Sequence, residues 1–236
     1  MKYVLDVHSH TLASGHAYNT IREMACAAKE RGLEILGITE HAPQMPGTCH
    51  DFYFSNLKVV DRKMCGIELL LGVELNILDF NGNVDLSEDL LKRMDIVIAS
   101  MHAPIISPGT IEENTRAYLN VMKNPYVNII GHPDDRRYPV DMEALVLASK
   151  ENGVLLELNN SSLNPNGARQ AARGNDIEML QYCKKYDVPI IIGSDAHIDS
   201  EVGRHDLAAQ LISEINFPEE LIINREVSEL MKYLKK

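Results

Sequence analysis

Short apolar runs alternate with longer stretches of helical periodicity along almost the whole chain. Seven runs rich in β-forming residues occupy 3–7, 34–39, 68–74, 95–100, 127–131, 154–159 and 188–194. They are nearly continuously apolar, which is typical of parallel strands buried on both faces. Helical patterns lie at about 20–31, 111–122, 142–153 and 176–186, and a last helix pair surrounds 221–224. The alternation predicts one α/β domain over 1–236, built as a barrel or as an open doubly wound sheet.

Composition narrows the possible classes of protein. The 236 residues are 45% hydrophobic and 24% charged, as in an ordinary soluble globular domain. The net charge of −11 argues against an extended surface for nucleic acid or for an anionic membrane. No apolar run approaches the roughly 20 residues of a membrane span, and the first residues do not form a signal peptide. The sequence has neither a P-loop nor a GxGxxG after its first run, which disfavours a nucleotide-binding sheet.

The cysteines carry no sign of a disulfide framework. Cys26, Cys49, Cys65 and Cys183 include no CxxC pair, and their spacing matches no zinc finger. We therefore expect reduced, mostly buried thiols in a cytoplasmic protein.

Six of the seven apolar runs are followed at once by a histidine or a carboxylate. In a parallel α/β barrel all strands end on one face, where active sites are built. Residues that are scattered along the sequence would therefore converge in one small volume. These strand-end residues are His8, His10, Glu40, His41, Glu74, His102, His132, Asp195 and His197.

Strand periodicity refines the orientation of the first group. Residues two apart on a strand share a face, so His8 and His10 point the same way. Asp6 has the same parity and is expected to face inward. It either accepts the second ring N–H of a ligand histidine or is satisfied by backbone groups.

Neutral imidazole and carboxylate are the ligands that divalent transition metals prefer. A catalytic zinc needs about three protein ligands and an open position, so the set is too large for one ion. It predicts two or three neighbouring metals that share a bridging carboxylate. His50 and His205 follow no strand, and we expect neither to be a ligand. The candidate ligands are His8, His10, His16, His41, Glu74, His102, His132, Asp195 and His197.

The motifs at these strand ends resemble those of the PHP superfamily (polymerase and histidinol phosphatase domains), in order and over essentially the whole chain. Two further stretches, SGHAYNT at 14–20 and LELNNSS at 156–162, look like the YcdX-like phosphatase branch. The motifs are DVHSHT at 6–11, ITEH at 38–41, GVE at 72–74, SMH at 100–102, IIGHP at 129–133 and GSDAH at 193–197.

The resemblance implies a distorted (βα)7 TIM-like barrel with three metals at the C-terminal ends of its strands. The metals are commonly zinc, with manganese or iron as alternatives. One metal would take His8, His10, Glu74 and Asp195. A second would share Glu74 and take His102 and His132, and a third would take His16, His41 and His197.

The same resemblance implies a phosphoric ester hydrolase that acts on a small phosphate monoester. A hydroxide bridging two metals would attack phosphorus, with Glu74 and Asp195 as the catalytic carboxylates. Asp195 would orient the nucleophile or pass a proton to the leaving alcohol. Arg169 and Arg173 are candidates for phosphate contacts, because a guanidinium matches phosphate oxygens bidentately, or they belong to a surface loop. Arg136 and Arg137 either contact the phosphate of the substrate or are solvated.

Three alternatives accompany this prediction. Histidinol phosphate phosphatases share the ligand set, and some PHP domains act as nucleases or phosphodiesterases on DNA ends. A non-enzymatic metal-binding protein is the third. The acidic chain has no basic stripe for nucleic acid, and the oligomeric state is not predicted.

Overall fold

The computed structural model describes residues 2–167, 169 and 172–234. Its central sheet consists of β1 (Leu5–Asp6), β2 (Ile35–His41), β3 (Lys63–Met64), β4 (Ile67–Asn76), β5 (Val97–Ser100), β6 (Ile129–Ile130), β7 (Leu155–Asn159) and β8 (Ile190–Gly193). Seven strands are parallel in the order β1-β2-β4-β5-β6-β7-β8, and β3 pairs antiparallel with β4. Each predicted run therefore overlaps one parallel strand, and β3 is a strand that the sequence pattern does not predict.

The sheet closes on itself between its first and last strands. Just beyond β1 and β8, Ser9 forms a parallel bridge with Ala196. The amide of Asp195 also donates to the carbonyl of His8 at 3.0 Å. Of the two architectures compatible with the sequence pattern, the structure adopts the barrel, which confirms the distorted TIM-like fold.

At the opposite end of the barrel the gap between β1 and β8 is filled by Asn224, a fully buried residue near the C-terminus. Its side-chain amide donates to the carbonyls of Leu5 at 3.0 Å and Ile192 at 2.8 Å, and its oxygen accepts from the Ile192 amide at 2.7 Å. The side chain thus replaces the missing strand pairing, because it satisfies backbone groups of both strands.

Eight α-helices among the described residues surround the barrel. They are α1 (Ile21–Glu30), α2 (Asp51–Asn56), α3 (Glu88–Leu91), α4 (Ile111–Val121), α5 (Met142–Asn152), α6 (Arg173–Tyr186), α7 (Asp206–Glu214) and α8 (Val227–Met231). Thr20 and Thr110 are the N-cap residues of α1 and α4. Each forms a capping box, which satisfies free backbone amides at the start of the helix. Gly153 ends α5 in the left-handed conformation at φ 62°, as its position after the helical pattern predicts. No helix among the described residues could span a bilayer.

Two apolar cores leave one end of the barrel free for polar groups. The larger core lies between the sheet and the helices. The smaller one is closed by two residues near the C-terminus, Ile223 and Leu230. Alternation along β4 separates the two cores, since Leu69 and Leu71 belong to the first and Leu70 to the second. The smaller core consists of Leu5, Val7, Ile35, Leu70, Ile96, Ile98, Ile129, Leu155, Ile191, Ile223 and Leu230.

The expectation of four reduced cysteines is wrong for one pair. Cys26 on α1 and Cys65 in the β3–β4 turn form a disulfide. Cys49 and Cys183 are free thiols. The two bonded residues are 39 positions apart, so their pairing depends on how α1 packs beside the turn.

Because this bond closes a long loop, the substitution Cys26→Ser is expected to lower the free energy of unfolding by about 2–4 kcal/mol. Urea denaturation with and without dithiothreitol measures the effect. The reductant should lower the midpoint of the unsubstituted protein and leave that of Cys26→Ser unchanged, while Cys49→Ser should respond like the unsubstituted protein. Equal midpoints for the unsubstituted protein in both conditions would show that the bond contributes nothing.

Candidate metal centre

Glu74 stands at the centre of the histidines at the barrel mouth. It lies near the C-terminal end of β4 and is fully buried. Its Oε1 lies 3.0 Å from His132 Nε2 and 3.2 Å from His102 Nε2. Its Oε2 lies 2.7 Å from His41 Nδ1. One carboxylate therefore faces ligands delivered by three other strands.

The first strand brings two more imidazoles to the same carboxylate. His8 Nε2 lies 3.5 Å from Glu74 Oε1, and His10 Nε2 lies 3.5 Å from Glu74 Oε2. Asp195, after β8, completes this side. Its Oδ1 is 3.6 Å from His8 Nε2 and 3.4 Å from His10 Nε2.

His16 and His197 form the outer part of the cluster. The His16 ring stacks on His41 and His197, with ring centroids 5.0 and 4.8 Å away. The His10 and His197 ring centroids are 4.4 Å apart. The structure thus brings all nine predicted ligands into one continuous cluster.

Three groups in the cluster have ligand atoms close enough together to hold one ion each. They are His8, His10 and Glu74; His41, Glu74 and His102; and His10, His41 and His197. The first group agrees with the grouping that the resemblance implies. In the second group, His41 stands where the resemblance implies His132. In the third group, His10 stands where the resemblance implies His16.

Buried polar atoms without hydrogen-bond partners test whether metals fit this site. Burying such atoms is costly unless a ligand satisfies them. A divalent cation between Glu74 and the imidazoles would satisfy them together, so the donor set fits a metal centre. In the described chain the atoms of the cluster that make no hydrogen bond include His8 Nε2, His10 Nε2 and His102 Nε2. His41 Nδ1 and Glu74 Oε2 make none either, although they lie 2.7 Å apart.

Polar partners behind the histidines fix their orientation. His8 Nδ1 lies 2.7 Å from Glu157 Oε1, and His102 Nδ1 lies 2.7 Å from Asn76 Oδ1. His10 Nδ1 lies 3.0 Å from the hydroxyl of Ser14. A partner on one ring nitrogen sets the tautomer and leaves the other nitrogen available to a metal.

Glu157 is a supporting residue with several partners that the strand-end pattern does not predict. Besides its contact with His8, its Oε2 accepts from the backbone amide of His132 at 2.8 Å and from Asn159 Nδ2 at 3.0 Å. It is 1% exposed in the middle of β7, the one predicted run without a candidate ligand at its end. A glutamate flanked by leucines inside a buried strand is the sequence feature that could have indicated this role.

Asp6 does not take the supporting role that its parity allowed. Its carboxylate accepts from the backbone amides of Ser194 at 3.1 Å and Gly203 at 2.8 Å, which is the second of the two alternatives. The inward orientation is wrong because β1 ends at Asp6, and Leu5 and Val7 on either side of it pack in the smaller core. The alternation of β1 therefore does not continue to His8.

The two histidines that follow no strand lie outside the cluster. The His50 side chain caps α2, where Nδ1 accepts from the amide of Phe52 at 3.3 Å. His205 is buried beside Asp6, with Nε2 3.8 Å from Oδ1 of that carboxylate.

The candidate arginines separate into one at the site and others away from it. Arg169 donates to Asp195 and, at 2.8 Å, to the hydroxyl of Ser162. Arg173 pairs with Glu214 on the surface. Arg137 pairs with Asp135 at 2.6 Å, and the neighbouring residue at 136 is exposed.

Charge at the site favours metal binding. Burial opposes ionisation of Glu74, but the surrounding histidines outweigh it and hold the pKa of the carboxyl well below its usual range. The pKa of Asp195 is also held well below its usual range, since His8 and Arg169 outweigh its burial. Burial lowers the pKa of His102 to about 4, which leaves the imidazole neutral. Burial opposes protonation of His8, but Glu157, Glu74 and Asp195 outweigh it and raise the pKa of this imidazole well above its usual range, so a metal bound there would displace a proton.

Two predicted ligands adopt the left-handed backbone conformation, with φ of 30° at His132 and 55° at Asp195. Such conformations in non-glycine residues cost energy and cluster at functional sites. Hydrogen bonds hold both residues in place: Glu157 accepts from the amide of His132, and the carbonyl of His8 accepts from the amide of Asp195.

A protein-family model and closely similar relatives of this chain indicate the same family. The PHP domain model matches residues 6–161. A probable phosphatase of Clostridium novyi is 51% identical over 100% of this chain and 96% of its own length. A probable phosphatase of Caldicellulosiruptor bescii is 46% identical over 98% of this chain and 95% of its own.

Solved structures share the fold at low sequence identity. The putative histidinol phosphatase of Listeria monocytogenes matches with a TM-score of 0.64 at 17% identity, over 85% of this chain and 97% of that one. The histidinol phosphate phosphatase of Lactococcus lactis, complexed with zinc, L-histidinol and phosphate, matches with a TM-score of 0.62 at 20% identity, over 92% of this chain and 95% of that one. The domain model and the relatives show that the chain belongs to the PHP domain family.

Proposed function

We propose that this protein is a metal-dependent phosphatase that hydrolyses a small phosphate monoester at a trinuclear centre. The observation that carries the proposal is the cluster of nine imidazole and carboxylate side chains around Glu74, with ligand atoms that lack partners among the described residues. The relatives named probable phosphatases support the reaction class. The zinc and phosphate of the Lactococcus lactis protein support the choice of ligands.

The nine clustered residues would hold the metals, with Glu74 shared between neighbouring ions. When bound, the ions supply a hydroxide nucleophile at neutral pH and neutralise charge on the phosphoryl oxygens. The carboxylate of Glu74 compensates part of this positive charge, and Glu157, Asn76 and Ser14 keep the imidazoles aimed inward.

Asp195 is the proposed carboxylate for proton handling. Its depressed pKa keeps it ionised, so it orients the nucleophile as a hydrogen-bond acceptor. To deliver a proton to the leaving alcohol it must first take one from the nucleophile. Its Oδ2 accepts from Asn159 at 3.3 Å and from Arg169, and these contacts fix the carboxylate plane.

Arg169 is the proposed phosphate contact on the protein side. It lines the cavity at the cluster, and its two hydrogen bonds to described residues leave further N–H groups of the guanidinium for phosphate oxygens. Arg173 loses this role in the proposal, because it is paired with Glu214 at the surface.

Elemental analysis of purified protein, combined with a panel of phosphoesters, tests the proposal. We expect about three zinc, manganese or iron ions per chain and hydrolysis of small monoesters. Dialysis against EDTA should abolish turnover, and the same metal should restore it. Faster hydrolysis of a short single-stranded oligonucleotide would favour a nuclease. Three bound metals without turnover of any ester would favour a metal-binding protein.

A further inference from the structure

The cavity above the cluster is larger than a phosphate group needs. Its volume of about 590 Å³ lies within the range of roughly 300–1,000 Å³ found for sites that hold whole small molecules. Arg169 lies in the loop after β7 and donates to Asp195, which follows β8. A phosphate held there leaves the rest of the cavity for the alcohol part of the ester.

The wall across the barrel from β7 and β8 is apolar. It is formed by Met45 and Pro46 after β2 and by Pro104 after β5. Met45 is 8% exposed, while the two prolines lie at the rim. In the closed ring of strands, β1 separates β2 from β8 and β6 separates β5 from β7, so these apolar residues line the cavity on the side of β2 to β5.

Backbone contacts hold this apolar wall in place. The amide of Met45 donates to the carbonyl of Ala42 at 3.1 Å, and the hydroxyl of Thr48 donates to the carbonyl of His41 at 2.7 Å. Gly15 packs so closely that a Cβ there would lie 2.0 Å from the carbonyl oxygen of Gly47. The wall is therefore a fixed surface beside His41.

The described lining of the cavity offers no partner for a positively charged leaving group. Among the described residues that line it, Glu74 and Asp195 carry the only carboxylates, and both face histidines. The described lining also contains no phenylalanine, tyrosine or tryptophan to stack on an ammonium group. A cation placed here would lose hydration without gaining an ion pair.

We propose that the natural substrate is a phosphate monoester of an uncharged, largely apolar alcohol, which packs against Met45, Pro46 and Pro104. This inference rests on the proposed phosphatase function. It separates this chain from an enzyme for the phosphate ester of an amino alcohol such as histidinol.

A matched pair of substrates tests the inference. Benzyl phosphate and 4-(aminomethyl)benzyl phosphate have similar leaving alcohols and differ in one ammonium group. With metal-loaded protein, we expect kcat/KM to be about tenfold higher for the neutral ester. Calorimetry with the corresponding non-hydrolysable phosphonates should give Kd values in the same order, independently of turnover.

Variants of the wall provide the control. Met45→Glu should bring the ratio of the two kcat/KM values close to one, while Met45→Gln should keep it. Pro104→Glu and Pro104→Gln repeat the comparison at the exposed rim, where folding is least affected. A cationic ester that is hydrolysed as fast as the neutral one, or glutamate variants that behave like their glutamine controls, would overturn the inference alone. Hydrolysis of neither ester would overturn the proposed function together with it.

Discussion

Replacing Asp195 by asparagine is expected to lower kcat by about 10²–10⁴-fold while the fold survives. The Asp195 carboxylate accepts from Arg169 on one side and faces the unpartnered Nε2 atoms of His8 and His10 on the other. An asparagine must keep its oxygen toward Arg169, because two donors repel. Its NH₂ group then points at the imidazoles and occupies the atoms that would bind metal.

The backbone at this position favours the substitution. Asp195 adopts φ 55°, a conformation that asparagine tolerates well. The thermal unfolding of the variant should therefore change little, whereas the turnover of p-nitrophenyl phosphate at saturating metal should fall. Asp206→Asn, on an exposed carboxylate of α7, is the matched control and should retain activity. Full activity of Asp195→Asn with metals bound would remove Asp195 from the proposed mechanism.

The part of the fold that the sequence predicts is the part set by local pattern. Continuous apolar runs identify all seven parallel strands, because both faces of a covered sheet are buried. The candidate ligands other than His16 could be predicted for a related reason: they follow strands closely or lie at strand ends, and parallel strands end on one face. Glu74 and His132 are distant in sequence, yet their side chains lie 3.0 Å apart for this reason.

Features that depend on contacts between distant segments were not predicted. The Cys26–Cys65 bond requires α1 to lie against the β3–β4 turn, and the sequence of neither element predicts that they are in contact. Asn224 comes from a segment after the last strand, and its role exists only because β1 and β8 separate at one end. The orientation of Asp6 depends on where β1 ends, and periodicity cannot locate that point to within a residue.

The residues behind the ligands illustrate the same limit within the site. Glu40 also lies at a strand end, where its carboxylate accepts from the hydroxyl of Ser14 at 2.6 Å and from the amide of Thr11 at 3.0 Å. Ser14 in turn contacts His10 Nδ1. Candidate metal ligands can thus be predicted from residue type at strand ends, whereas the residues that support them are ordinary polar residues that only the assembled barrel brings together.

Replacing Glu157 by glutamine is expected to weaken metal binding by about 10–100-fold, as for other partners of ligating histidines. The two oxygens of Glu157 accept from different donors, His8 Nδ1 at 2.7 Å and the amide of His132 at 2.8 Å. A glutamine has one oxygen and one NH₂ group, so one of these donors loses its acceptor. Either His8 turns away from the cluster or the strained backbone of His132 loses its hydrogen bond.

Chelator competition on the reloaded variant measures this loss, with elemental analysis to count the ions that remain. Glu151→Gln on the exposed face of α5 removes the same charge far from the site and should bind metals normally. Raising the metal concentration should restore much of the turnover of Glu157→Gln, because its nucleophile and phosphate contacts are intact. A residue that only supports the fold would lower thermal stability of the metal-free protein without such rescue. Unchanged metal affinity in Glu157→Gln would show that the orientation of His8 does not depend on this carboxylate.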